Sequence, residues 1–174
     1  MCWCFVHMNT SNPPVPQCEE TVMLTIAIGA DDAATDLKNQ VKSHLQSKGI
    51  EVVDFSHDIG DNPLIYPDIA FNLASAIGDG TYSRGILLCG TGIGMAIVAN
   101  KVPGVRAAQC HDTYSAERAR KSNDAQVMTL GARVIGPELA KNIVDVWLAS
   151  EFEGGRSAPK VDRISHYEKL GKSA

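Results

Sequence analysis

Gly85-Ile86-Leu87-Leu88-Cys89-Gly90-Thr91-Gly92-Ile93-Gly94-Met95-Ala96 decides how this chain reads. The apolar run 86–88 has the length and two-sided apolarity of a central parallel strand. It ends at Cys89. Three glycines at alternate positions then lead into a helical stretch at 95–100. A strand that turns through glycines into a helix start aims backbone N–H groups into the turn, where they favour negative charge. This cradle carries a thiol at its lip and the Thr91 hydroxyl two residues on. Dipoles of that kind favour a thiolate, so Cys89 can act as base or nucleophile. A cysteine at a strand end can equally be a small core hydrophobe.

Working outward, the same alternation repeats. Residues 24–29 read as a strand, followed by the turn Ala30-Asp31-Asp32. Leu37, Val41 and Leu45 recur at helical spacing over 36–48, closed by Gly49. A second strand spans 51–55. The polar loop 56–66 leads to a helix opening at Pro67, with Ile69, Leu73 and Ile77 on one face. Beyond the glycine turn come a strand at 105–108, a helix at 114–121 opened by His111-Asp112-Thr113, and a strand at 127–130. Pro137 starts a helix with Leu139, Ile143, Val146 and Trp147 on one face. Glu153-Gly154-Gly155-Arg156 breaks it, and 161–170 reads as a last short helix.

Five strands alternating with five helices predict an α/β fold. The expected architecture is an open five-stranded parallel sheet with helices on both faces, a three-layer, Rossmann-like arrangement. It occupies 23–174 as one domain. Residues 1–22 read as an extension, because Ser11-Asn12-Pro13-Pro14-Val15-Pro16 continues neither a helix nor a central strand. Ligands of such sheets bind beyond the carboxyl ends of the strands. The expected site therefore combines Asp31, Asp32, the Cys89–Gly94 loop, His111, Asp112 and the segment after Leu130.

Several classes are disfavoured. The first strand–helix turn has no G-x-G-x-x-G and no P-loop lysine follows a strand, which argues against dinucleotides and nucleoside triphosphates. No cofactor is expected. A formal net charge of −4 argues against nucleic acid or an anionic membrane as partner. No run of eighteen apolar residues spans a bilayer, and no secretory signal opens the chain. The five cysteines are odd in number and lack a C-x-x-C pair, so free thiols in a reducing cytoplasm are expected. The five histidines show no ligand spacing, so no metal is expected.

Cys-Gly-Thr-Gly-Ile-Gly at 89–94 and Ala99-Asn100-Lys101 with Gly104-Val105-Arg106-Ala107 resemble type B ribose-5-phosphate isomerase. So do Tyr114-Ser115-Ala116, Asn123-Asp124, Gly131-Ala132-Arg133-Val134-Ile135-Gly136 and Glu153-Gly154-Gly155-Arg156. That family includes galactose-6-phosphate isomerase subunits and tetrose-phosphate isomerases. The resemblance covers about 24–165. It implies cofactor-free aldose–ketose isomerisation of a phosphorylated sugar through an enediol, of the ribose 5-phosphate/ribulose 5-phosphate type. It implies Cys89 as the base that moves a proton between carbons 1 and 2. The turn N–H groups of Gly90, Gly92, Ile93 and Gly94 would hold the enediolate oxygen. Thr91 would hydrogen-bond the sugar, and Asp31 matches the family's aspartate after the first strand. Asn123 and Arg133 match residues that reach into a neighbouring subunit's site. Arg156 matches a phosphate-binding arginine, and Lys160 stands where a second one is usual, keeping the charge without the fork. Homodimers or homotetramers with interface active sites are implied.

Two positions depart from the pattern. The usual Asp-His of the first turn is Asp31-Asp32. The histidine that opens the sugar ring is Ser122, which cannot carry a proton near neutral pH as imidazole does. His111 is a possible substitute. A tetrose phosphorylated on oxygen 4 cannot close a five-membered ring and needs no ring opener, so erythrulose 4-phosphate is an alternative substrate. Two further alternatives are a non-catalytic sugar-phosphate-binding module and a metal-dependent isomerase.

Overall fold

A computed structural model describes residues 24–56 and 65–171. The extension 1–22 and most of the loop before Pro67 lie outside the described residues. Five strands, β1 (Thr25–Ala30), β2 (Glu51–Asp54), β3 (Arg84–Cys89), β4 (Ala107–Gln109) and β5 (Val127–Gly131), form one sheet in the order β2-β1-β3-β5-β4. Every neighbouring pair is parallel. The helices are α1 (Thr35–Ser47), α2 (Tyr66–Gly78), α3 (Ile93–Ala99), α4 (Thr113–Lys121), α5 (Pro137–Leu148) and α6 (Ala158–Gly171).

Side chains alternate across the sheet with period two and so divide the core. Ile26, Ile28, Ile86, Leu88, Met128 and Leu130 pack with α1, α4 and α5. Ala27, Leu87, Cys89 and Val127 pack with α2 and α3. The expected three layers are thus observed. Helix α2 approaches the sheet closely because glycines lie beneath it. A Cβ on Gly29 would come within 2.8 Å of Ile69, and one on Gly85 within 2.5 Å of Leu73. Among the described residues no helix is long and apolar enough to cross a membrane.

The structure corrects three local expectations. The fourth strand starts at Ala107 rather than 105, because the Arg106 N–H donates to the Gln126 side chain instead of a neighbouring strand. The buried face of α5 is Ala140, Ile143, Val144 and Trp147, while Leu139 is exposed. Helix α6 begins at Ala158, directly after a 3-10 turn at Gly155–Ser157.

Candidate active site

The register sets the site. Cys89 pairs with Gly131, and Ala30 pairs with Leu88, so Asp31, Cys89 and the β5 exit meet at one sheet edge. The Gly92 N–H donates to Cys89 Sγ at 3.0 Å, and the Ile93 N–H donates to Thr91 Oγ1 at 3.3 Å. Gly92 has φ +78° and lies against the Leu130 backbone, where a Cβ would come within 3.0 Å. Only glycine meets both demands. The loop is pinned from β4 and β5. Thr129 Oγ1 donates to Gly92 O at 2.9 Å, Gln109 Nε2 to Thr91 O at 2.6 Å, and the Arg133 N–H to Gly90 O at 3.0 Å.

A cavity of about 570 Å³ opens here, lined chiefly by Asp31, Tyr66, Cys89, Thr91, Gly94 and Arg133. Asp31 Oδ1 is buried without a hydrogen-bond partner among the described residues. Burial pushes its carboxyl above the ordinary range, and the Asp32 charge adds to this. The Ala33 and Ala34 N–H groups and the Arg133 charge oppose the shift. Cys110, the other described thiol, is a core group that burial pushes up to about 12. Among the described residues no three histidine, cysteine, aspartate or glutamate side chains gather to hold a metal.

Several expected site residues lie elsewhere. Gly90, Thr91, Ile93 and Gly94 line the cavity and Gly92 does not; the Gly92 N–H is engaged by Cys89 and the Ile93 N–H by Thr91. Arg133 lines the Cys89 cavity of its own chain, because it follows the strand paired with β3. His111 Nε2 accepts the Gly131 N–H at 3.1 Å, which makes it a brace for the β5 exit rather than a group in the cavity. Asp32 is exposed, and its Oδ1 accepts the Ala33 N–H at 3.0 Å. In the sequence Tyr66 falls at the end of the polar loop 56–66. Its ring covers Gly94 so closely that a Cβ there would lie 2.5 Å from it. The only local signal was an aromatic residue immediately before the helix-opening Pro67.

The remaining expected residues gather at a second cavity of about 590 Å³, where Ser122 and Asn123 face Arg156 and Lys160, with Arg118 and Glu153 beside them. Buried arginines build this place. Arg84 donates to the carbonyls of Trp147, Leu148 and Ser150, satisfying the end of α5. Glu151 bridges Arg84 and Arg120. Asp124, held at φ +46°, bridges Arg120 and Arg106 at 3.0 and 2.7 Å. These bridges tie the Ser122–Asn123 turn to the segment that leads into Arg156.

The open parallel sheet, with a thiol in a glycine turn beside a half-buried carboxyl and a second cavity lined by cations, is that of a sugar-phosphate isomerase. The chain belongs to the ribose/galactose isomerase family, whose model matches residues 26–164. It is 70% identical over 147 residues to D-erythrulose-4-phosphate isomerase of Pectobacterium atrosepticum, covering 84% of this chain and 96% of that one. It is 43% identical over 149 residues to ribose-5-phosphate isomerase B of Escherichia coli, covering 84% and 97%. The solved structure of Clostridium thermocellum ribose-5-phosphate isomerase B superposes with a TM-score of 0.79 at 45% identity, over 84% of this chain and 99% of that one.

Proposed function

We propose that the chain interconverts aldose and ketose phosphates through an enediolate, with a four-carbon substrate preferred over ribose 5-phosphate. The observation that carries the chemistry is the Cys89 sulfur. It accepts a backbone N–H and shares one cavity with Asp31, whose Oδ1 has no hydrogen-bond partner among the described residues. The Cys89 thiolate takes the proton from the carbon beside the carbonyl. The electron pair moves onto the carbonyl oxygen, for which the N–H groups of Gly90 and Gly94 and the Thr91 hydroxyl, from residues that line the cavity, are the donors in this reading. Asp31, whose raised proton affinity suits both giving and taking, moves the proton between the two substrate oxygens. Cys89 returns its proton to the adjacent carbon. No step needs a redox partner.

Arg156 and Lys160 supply the phosphate site, with Asn123 beside them. Within one chain this cavity is separate from that of Cys89, which supports a homodimer in which each catalytic cavity is completed by the partner's cationic one. The exposed apolar rim of Tyr66, Ile93 and Ile97 around the Cys89 cavity supports the same assembly. Two free buried thiols fit a reducing cytoplasm. The four-carbon preference is supported by Ser122 and by the 70% identical relative named for erythrulose 4-phosphate.

Subunit mixing tests the whole reading. Cys89→Ser and Arg156→Ala should each lose most activity, and their mixture should regain some, because one of the two hybrid sites is intact. Cys89→Ser mixed with Arg133→Ala should stay dead, because both residues serve the same cavity. The opposite pattern would overturn the shared-site model.

A further inference from the structure

We infer that Arg118 is a third phosphate-binding cation, an inference that rests on the reading of Arg156 and Lys160 given above. Arg118 lies on α4 and lines the same cavity as those two residues. Its Nε is buried and has no hydrogen-bond partner among the described residues, so the guanidinium holds a donor in need of an acceptor. Its other contacts hold it weakly. Nη2 lies 3.0 Å from Glu117 Oε2, and the guanidinium lies 5.9 Å from the Tyr114 ring centre. Adjacent residues on a helix do not face each other, and an ion pair in which both side chains are half-buried at the surface contributes little. Glu117 is in any case paired with Lys121 at 2.8 Å.

The cavity favours an anion. Its lining cations are Arg118, Arg156 and Lys160, and its one lining carboxylate, Glu153, lies 3.5 Å from Lys121. The balance is net positive and suits a dianionic phosphate monoester. Arg118 contributes the planar fork that Lys160 lacks. Ser122, the C-cap of α4 four residues on, lines the same cavity as Arg118.

Calorimetric titration of the full chain with inorganic phosphate, together with KM and kcat for erythrulose 4-phosphate and ribose 5-phosphate, tests the assignment. Arg118→Met should weaken phosphate binding and raise KM about tenfold, the scale of one charge-assisted hydrogen bond, with kcat within about twofold. Arg118→Lys should recover part of the loss, and Glu117→Gln should behave as wild type. Melting curves confirm folding, and Arg118→Gln replaces the methionine variant if that one fails to fold. Arg118→Met binding phosphate like wild type while Arg156→Ala does not would overturn the inference and leave the phosphate cluster standing. If neither variant changes phosphate binding, the cluster reading fails and the inference with it. A Glu117→Gln variant that reproduces the Arg118→Met loss would show that the ion pair alone matters, and would also overturn it.

Discussion

Gly131→Ala should damage the active loop and the fold together, by an amount the structure sets. Gly131 ends β5 opposite Cys89. A Cβ there would lie 2.8 Å from Thr91 C and O and 2.9 Å from its Cα. These are backbone atoms, and Gln109 Nε2 holds the Thr91 carbonyl at 2.6 Å, so no side-chain rotation relieves the clash. Restoring an ordinary contact of about 3.4 Å needs a shift of roughly 0.6 Å, the difference between 3.4 and 2.8. Overpacking costs about 1–3 kcal/mol, and a backbone collision belongs at about 2–3. For a domain of this size that lowers the melting temperature by roughly 5–10 °C. A misplacement of about 1 Å can cost about a hundredfold in rate, so roughly 0.6 Å predicts about a tenfold fall in kcat. Thermal melts and steady-state kinetics read both effects. Gly136→Ala is the control, because its Cβ meets nothing within 4 Å and its φ is −82°. A Gly131→Ala variant that melts and turns over like wild type, or a control that matches its losses, would refute the steric argument.

Two more predictions concern the proposed chemistry. The Asp31 carboxyl binds its proton more tightly folded than unfolded, so its stabilising contribution is present at low pH and is lost as pH rises from the unfolded value of 3.8 through the raised one. Asp31→Asn should therefore melt higher than wild type at pH 7, converge with it below about pH 4, and lose roughly two to four orders of magnitude in kcat; a lower melting temperature at pH 7 contradicts the burial argument. Ser122→His should raise kcat/KM for ribose 5-phosphate by a larger factor than for erythrulose 4-phosphate, since only the cyclic substrate needs ring opening, and equal factors for the two sugars would remove Ser122 as the determinant of chain length.

Much of this molecule was legible in one dimension because its signals are contiguous. A strand buried on both faces reads as a near-continuous apolar run, and 86–88 is one, while 127–130 is interrupted only by Thr129, whose hydroxyl donates to Gly92 O. The thiol, the hydroxyl and the glycines of the turn lie within six residues, so their grouping needs no long-range contact. The α5 face was less legible. Helical spacing alone leaves Leu139 and Ala140 both near the stripe, and the packing of α5 against its neighbours chose the smaller.

By itself the sequence determined the five-stranded α/β plan and the place of Cys89 at a strand end. Both are local properties of residue type and spacing, whereas Ser122 stood out only against the pattern of the family the chain resembles. Only the tertiary structure decided which distant residues share a cavity. Parallel pairing of β3 with β5 delivers Arg133 to Cys89, close packing of α2 over Gly29 and Gly85 delivers Tyr66 to Gly94, and the Gly131 N–H turns His111 into a brace. The same pairing leaves Arg156 and Lys160 at a separate cavity. Strand order and register are non-local quantities, set by how the whole sheet buries its faces, and no window of the sequence contains them.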